Sequence, residues 1–169
     1  MGHLPKKRSF PPVVDGETRL LVLGSLPGER SLVEARYYAH PRNQFWLLIG
    51  DVIGRDLTPL DYPDRLATLL HAGVGLWDAV ASASRRGSLD AQIRDHRPNR
   101  LAELAASLPN LAAVAFNGST AARIGGIQLA GLPDLALITL PSSSPAFTMG
   151  LAEKRLRWRT LGPWLKEKP

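Results

Sequence analysis

"TRLLVLGSLPGERSLVEARYYAHPRNQFW", residues 18–46, decides the fold. Leu20 to Leu23 are apolar at every position and run straight into Gly24. Alternation would mark a strand with one wet face. An unbroken run marks a strand covered on both faces, the habit of parallel sheets packed between helices. The segment that follows is no ordinary connector. Residues 24–46 hold two glycines, two prolines, the Tyr37–Tyr38 pair and Asn43. In open α/β sheets ligands gather beyond the carboxyl ends of the strands, so a loop of rings and amides there is where a site is expected.

The same pattern repeats along the chain. "VGLWDAV" (74–80), "LAAVAFNG" (111–118) and "LALITLP" (135–141) read as three further buried strands. Between them lie helical patterns at 43–54, 62–73, 99–109 and 119–126, with Gly54, Gly73 and the Gly125–Gly126 pair as stops. A basic helix over 151–165 closes the chain, with Leu151, Trp158, Leu161 and Leu165 on roughly one face. Residues 82–98, "SASRRGSLDAQIRDHRP", lack a clean period and read as a long loop or a loop with one short helix. The expected fold is α/β, a three-layer sandwich with a short, mainly parallel four-stranded sheet flanked by helices. Residues 1–16 read as a flexible basic arm, and 17–169 as a single domain.

Composition narrows the function. The chain has 169 residues, no cysteine and a formal charge of +6. The absence of cysteine excludes a disulfide framework, a thiolate nucleophile and a zinc–sulfur site, and it suits a reducing cytoplasm. No apolar run approaches membrane-spanning length, so a soluble protein without a membrane partner is expected. The positive balance suits a polyanion, most simply nucleic acid. Basic residues cluster at Lys6–Arg8, between Arg85 and Arg100, and over Lys154–Arg159. The "GSLPGERS" loop lacks the lysine and spacing of a P-loop and is not GxGxxG. HExxH and GxSxG are absent, and the four histidines are scattered, so no metal site and no cofactor are expected.

Gly24-x-x-Pro27-Gly28, an aromatic fourteen residues after the first glycine, and then His40-Pro-x-Asn43-x-Phe-Trp46 form a pattern that resembles the first motif of the uracil-DNA glycosylase superfamily. "LPSSSP" (140–145) resembles its second motif. "GSLPG", "GLWDAV…R.GSLD..I", "FNG" and "PSSSP" together look like the hypoxanthine-DNA glycosylase branch, also called family 6. The resemblance runs over about residues 10–165.

That resemblance implies a set of roles. Tyr38 occupies the place of the aromatic that stacks on a base swung out of the duplex, and Gly24, Ser25, Leu26, Pro27 and Gly28 would line the base with their backbone. The third place of the glycine loop, which orients the attacking water in related branches, is Leu26 here and cannot do so. The matching amide in this branch is Asn43, which could equally be a helix N-cap. Asp78, with Trp77 beside it, stands where relatives read the base and is, with Asn43, one of two catalytic candidates for orienting the water; Asp78 could equally cap the end of a strand. Asn117 would donate to the base or serve only as a turn residue. Ser142, Ser143 and Ser144 would hold phosphates, as would Arg85 and Arg86, and Phe147, with Met149 second, would fill the vacated stack. Leu140 stands where uracil-specific members keep a histidine.

The expected function is a monofunctional glycosylase acting as a monomer on DNA with a deaminated base, hypoxanthine first, and uracil or xanthine as further substrates. The rivals are a catalytically weak lesion-sensing module on the same scaffold and an enzyme of free nucleotides.

Overall fold

The computed structural model describes residues 5–166. Four parallel strands form its centre: β2 (Leu20–Gly24), β3 (Val74–Asp78), β6 (Ala113–Asn117) and β7 (Ala136–Leu140), in the order β3-β2-β6-β7. Alternate residues of each strand enter opposite cores. Leu20, Val22, Val74, Leu76, Ala113 and Ala115 face one core, with α2 (Phe45–Ile53), α3 (Tyr62–His71) and α6 (Leu151–Arg159). Leu21, Leu23, Val114 and Phe116 face the other, with α4 (Leu101–Ser107) and α5 (Ser119–Leu129). The unbroken apolar runs are therefore those of a sheet wrapped on both sides, as expected.

Three local readings change. Glu29–Glu34 forms a short helix, α1, inside the loop that follows β2. The paired glycines do not stop α5, which runs on to Leu129. Gly125 is there for closeness: a Cβ on it would lie 2.8 Å from the Phe116 ring. The last helix ends at Arg159, and Trp158 and Leu161 fill the core as their stripe predicted.

The larger correction is a second sheet. β1 (Lys6–Arg8), β4 (Val80–Ser84) and β5 (Arg94–Pro98) pair antiparallel in the order β1-β4-β5. The expected flexible arm is thus docked from Lys6 onward. Val13 forms a bridge to Leu76, and the Phe10 carbonyl accepts the Trp77 indole N–H. Unpaired main-chain groups on β3 and β4 supply the reason: the arm satisfies both. Residues 1–4 lie outside the described residues.

Parallel register sets the rim. Gly24 pairs with Asp78, Leu23 with Phe116, and Asn117 with Leu140. Gly24, Asp78, Asn117 and the serine turn after Leu140 therefore meet at one edge of the sheet.

Candidate active site

At that edge one hydrogen-bond chain joins three loops. Asn117 Nδ2 donates to Ser143 Oγ at 2.9 Å and to the Tyr38 hydroxyl at 3.3 Å. Ser143 Oγ donates to Asn43 Oδ1 at 2.8 Å, and the Ser143 N–H donates back to Asn117 Oδ1 at 2.9 Å. Asn43 Oδ1 also accepts the Phe45 N–H at 2.9 Å, at the start of α2. The two readings of Asn43 are thus compatible. Its oxygen closes the helix start and the serine turn, and its Nδ2 group has no hydrogen-bond partner among the described residues.

Tyr38 lies against this chain. Its ring stacks on Phe45, centroids 3.9 Å apart and planes 21° apart, and its hydroxyl rests above Gly24. Its φ of 53° is unusual for an aromatic residue and is held by the Tyr38 carbonyl, which accepts the Trp46 indole N–H at 3.2 Å. Gly24 is required by close approach. A Cβ there would meet Asp78 Oδ1 at 2.6 Å and the Tyr38 hydroxyl at 3.0 Å.

Asp78 is 3% exposed, and its Oδ2 is buried without a hydrogen-bond partner among the described residues. Burial, then the neighbouring Asp90 charge, push its carboxyl up to about 7, against a smaller pull from Arg85. Asn117 is 7% exposed. The Tyr38 hydroxyl and Asp78 Oδ1 thus meet over the Gly24 backbone. A cavity of about 520 Å³ opens on the outer side of the tyrosine pair, between Arg36, Tyr38, Trp46 and Tyr62.

Several expected roles do not fit. Trp77 points to the other side of the sheet from Asp78 and packs in the second core, because neighbours in a strand alternate. Arg85 is not a surface cation. It is 1% exposed, and its guanidinium donates to the Leu26, Pro27 and Gly87 carbonyls at 3.3, 2.5 and 2.7 Å. It is the brace of the Gly24–Gly28 loop. The Ser25 hydroxyl is spent on Asp90 at 2.6 Å, and the Leu26 side chain belongs to the second core. The Leu26 and Gly28 N–H groups have no acceptor among the described residues, so this loop offers donors from its backbone. Ser143 is buried and serves as the connector; Ser142 and Ser144 are the partly exposed hydroxyls of the turn. Arg86 is exposed, and Phe147 is 43% exposed beside the turn.

The residue that sequence reasoning missed is Lys154. It is 1% exposed, and its Nζ donates to Gln44 Oε1 at 2.9 Å and to the Ser144 carbonyl at 3.4 Å. Nζ also stands 5.6 Å from the Phe147 ring centroid. Burial lowers its pKa. The signal was present: position 154 falls on the Leu151–Trp158 stripe, three residues after one and four before the other.

Comparison with known proteins identifies the family. The family model described as "Uracil DNA glycosylase superfamily" matches residues 11–165. A hypoxanthine DNA glycosylase of Methanosarcina acetivorans is 37% identical over 92% of this chain and 97% of its own length. One of Methanosarcina barkeri is 45% identical over 67% of this chain and 72% of its own. The solution NMR structure of a candidate uracil DNA glycosylase from Methanosarcina acetivorans superposes with a TM-score of 0.84 at 37% identity, covering 94% of this chain and 97% of that one. With its parallel sheet, its paired motif loops and a match spanning nearly its whole length, the chain belongs to the uracil DNA glycosylase superfamily.

Proposed function

We propose that the chain is a DNA glycosylase that removes a deaminated base, hypoxanthine above all, by hydrolysing its N-glycosidic bond. The observation that carries the reading is the continuous network from Asn43 through Ser143 and Asn117 to Tyr38, with Asp78 facing it across Gly24. It gathers at one edge a ring, a set of amides and a lone buried carboxyl. A nucleobase out of its stack needs each of these.

In this reading Tyr38, backed by Phe45, gives the base a flat surface, and Asp78 reads its edge. Ionised Asp78 accepts the N1–H of hypoxanthine; adenine has a lone pair at that atom and is repelled. The C1′–N9 bond breaks with its electron pair going to the base, and the sugar gains oxocarbenium character. Donors from Asn117 and the loop N–H groups stabilise the charge on the leaving base. Asn43 Nδ2 holds a water by one lone pair and aims the other at C1′. Water bonds to C1′ and loses a proton to solvent, the base anion takes one up from solvent on a ring nitrogen, and free hypoxanthine and an abasic site remain. A cation at C1′ is attacked by neutral water, so no strong base is needed. In this reading the enzyme acts as a monomer in the cytoplasm, on the DNA there.

Oligonucleotides carrying hypoxanthine, uracil or xanthine, followed by alkaline cleavage of abasic sites, test this. Turnover of the hypoxanthine strand is expected. Binding without turnover would favour the lesion-sensing module, and turnover of free deoxyinosine alone would favour the nucleotide enzyme.

A further inference from the structure

We propose that the outer face of the β1-β4-β5 sheet is a second DNA contact, a phosphate track for the duplex flanking the lesion; this rests on the glycosylase reading above. Two basic stretches far apart in sequence, Lys6–Arg8 and Arg94–Arg97, border the same strand. Arg8 pairs with Ser82 and Ser82 with Arg97; Lys6 pairs with Ser84 and Ser84 with Arg94. Cross-strand partners share a face, so Lys6, Arg8, Arg94 and Arg97 stand together. Ala83, between the two serines, turns the other way into the second core.

The arrangement depends on a bulge. Arg94 and Arg97 are three residues apart, which in a regular strand would put them on opposite faces. Their partners Ser84 and Ser82 are two apart, and the register shifts between them. Asp95 absorbs the extra residue with φ of 52°, a conformation that Asp tolerates better than most. Strain of this kind is kept where a side chain must be re-aimed, and here it aims a second arginine outward.

Charge pairing points the same way. Lys7, Arg30, Arg159 and Lys166 are engaged by Glu29, Glu34, Asp51 and Glu17. Lys6, Arg8, Arg94 and Arg97 are exposed, and none has an ion-pair partner among the described residues; the Arg94 guanidinium donates through one nitrogen to the Ala91 and Ile93 carbonyls at 2.8 and 2.9 Å. The cations flank Ser84, which is half-buried, and Ser82, which is buried, with the outer strands roughly 10 Å apart. Four exposed cations beside small residues fit a phosphate backbone and offer nothing to an apolar partner. Their position suits a flank, because β4 begins two residues after Asp78.

The test is the salt dependence of binding to a duplex carrying one deoxyinosine, comparing wild type with the K6Q/R8Q/R94Q/R97Q variant. The slope of log K against log salt should flatten by about 3, and affinity at low salt should fall roughly tenfold or more. The single-turnover rate at saturating protein should stay within about twofold. The pairwise variants K6Q/R8Q and R94Q/R97Q should each give about half the change in slope, which guards against one variant failing to fold. Arg55→Gln, at the far end of α2, is the control and should leave the slope nearly unchanged. An unaltered slope, or an equal loss on single strands, overturns the track. Lack of cleavage by wild type would refute the glycosylase reading instead, and the salt slope on undamaged duplex would still decide the track.

Discussion

The Ser143 hydroxyl donates to Asn43 Oδ1 across one hundred residues of chain, at 2.8 Å. With the Gln44 N–H, which donates to the Ser143 carbonyl at 3.0 Å, that bond ties the loop after β2 to the loop after β7. It makes the amide of Asn43 a fixed group instead of a freely rotating one. A water held by Asn43 Nδ2 is then positioned before the base leaves, which is the form of pre-organisation that raises a rate without tightening binding.

Asn43→Ala should therefore slow single-turnover cleavage of deoxyinosine by about 10²–10³-fold while changing the DNA Kd by no more than about threefold. Ser143→Ala should cost roughly tenfold in the same rate, because it loosens Asn43 and leaves Asn117 Nδ2 short of an acceptor. Rapid-quench kinetics beside fluorescence-anisotropy titration separates the two effects. Parallel losses in rate and affinity for Asn43→Ala would assign it to the helix start alone.

Asp78 predicts a pH dependence. Its carboxyl titrates near 7 in the folded chain, against an ordinary 3.8, so the folded state holds this proton more tightly than the unfolded state. Stability from this group therefore declines as pH rises from about 4 to about 7, and the penalty is complete above that. Asp78→Asn lacks this titration, so its melting temperature should gain on wild type as pH rises. Thermal melts across that window measure the difference; a gap independent of pH would contradict it. Selectivity for hypoxanthine over adenine should also sharpen between pH 6 and pH 8, as the carboxyl ionises.

Lys154 is a buried cation, and removing its charge relieves a desolvation cost. Lys154→Met should leave denaturant stability equal or higher, yet weaken DNA binding by about tenfold, because Gln44, the Ser144 carbonyl and Phe147 lose their shared support. Urea unfolding and equilibrium binding decide this together. Unchanged affinity would reduce Lys154 to a packing residue.

Phe147→Ala should impair cleavage most where the lesion is well paired and least in single strands, since a wedge acts only when a stack must be replaced. Comparing deoxyinosine opposite cytosine, opposite thymine and in single strand gives the ranking. Equal loss in all three contexts would reject the wedge.

The parallel sheet was legible because its strands are apolar at nearly every position, a pattern that allows few other structures. The antiparallel sheet was not. "KKR" and "RDHRP" carry almost no apolar residue, and their pairing depends on main-chain groups and a bulge that leave no period in the sequence. Within the site, Gly24, Tyr38, Asn43, Asp78 and Asn117 could be placed together because each follows a strand or matches a motif. Arg85 could not be recognised as a brace, since the carbonyls it holds belong to the backbone and any residue supplies them. The burial of Ser143 between two exposed-looking serines was hidden for the same reason.

The most direct measurement is the release of free hypoxanthine from a duplex containing one deoxyinosine, followed by mass spectrometry for wild type and Asn43→Ala side by side. Stoichiometric release by wild type, with the variant bound equally well but slower by about two orders of magnitude or more, is the predicted result. Intact deoxyinosine strands after prolonged incubation with tightly bound wild type would contradict it.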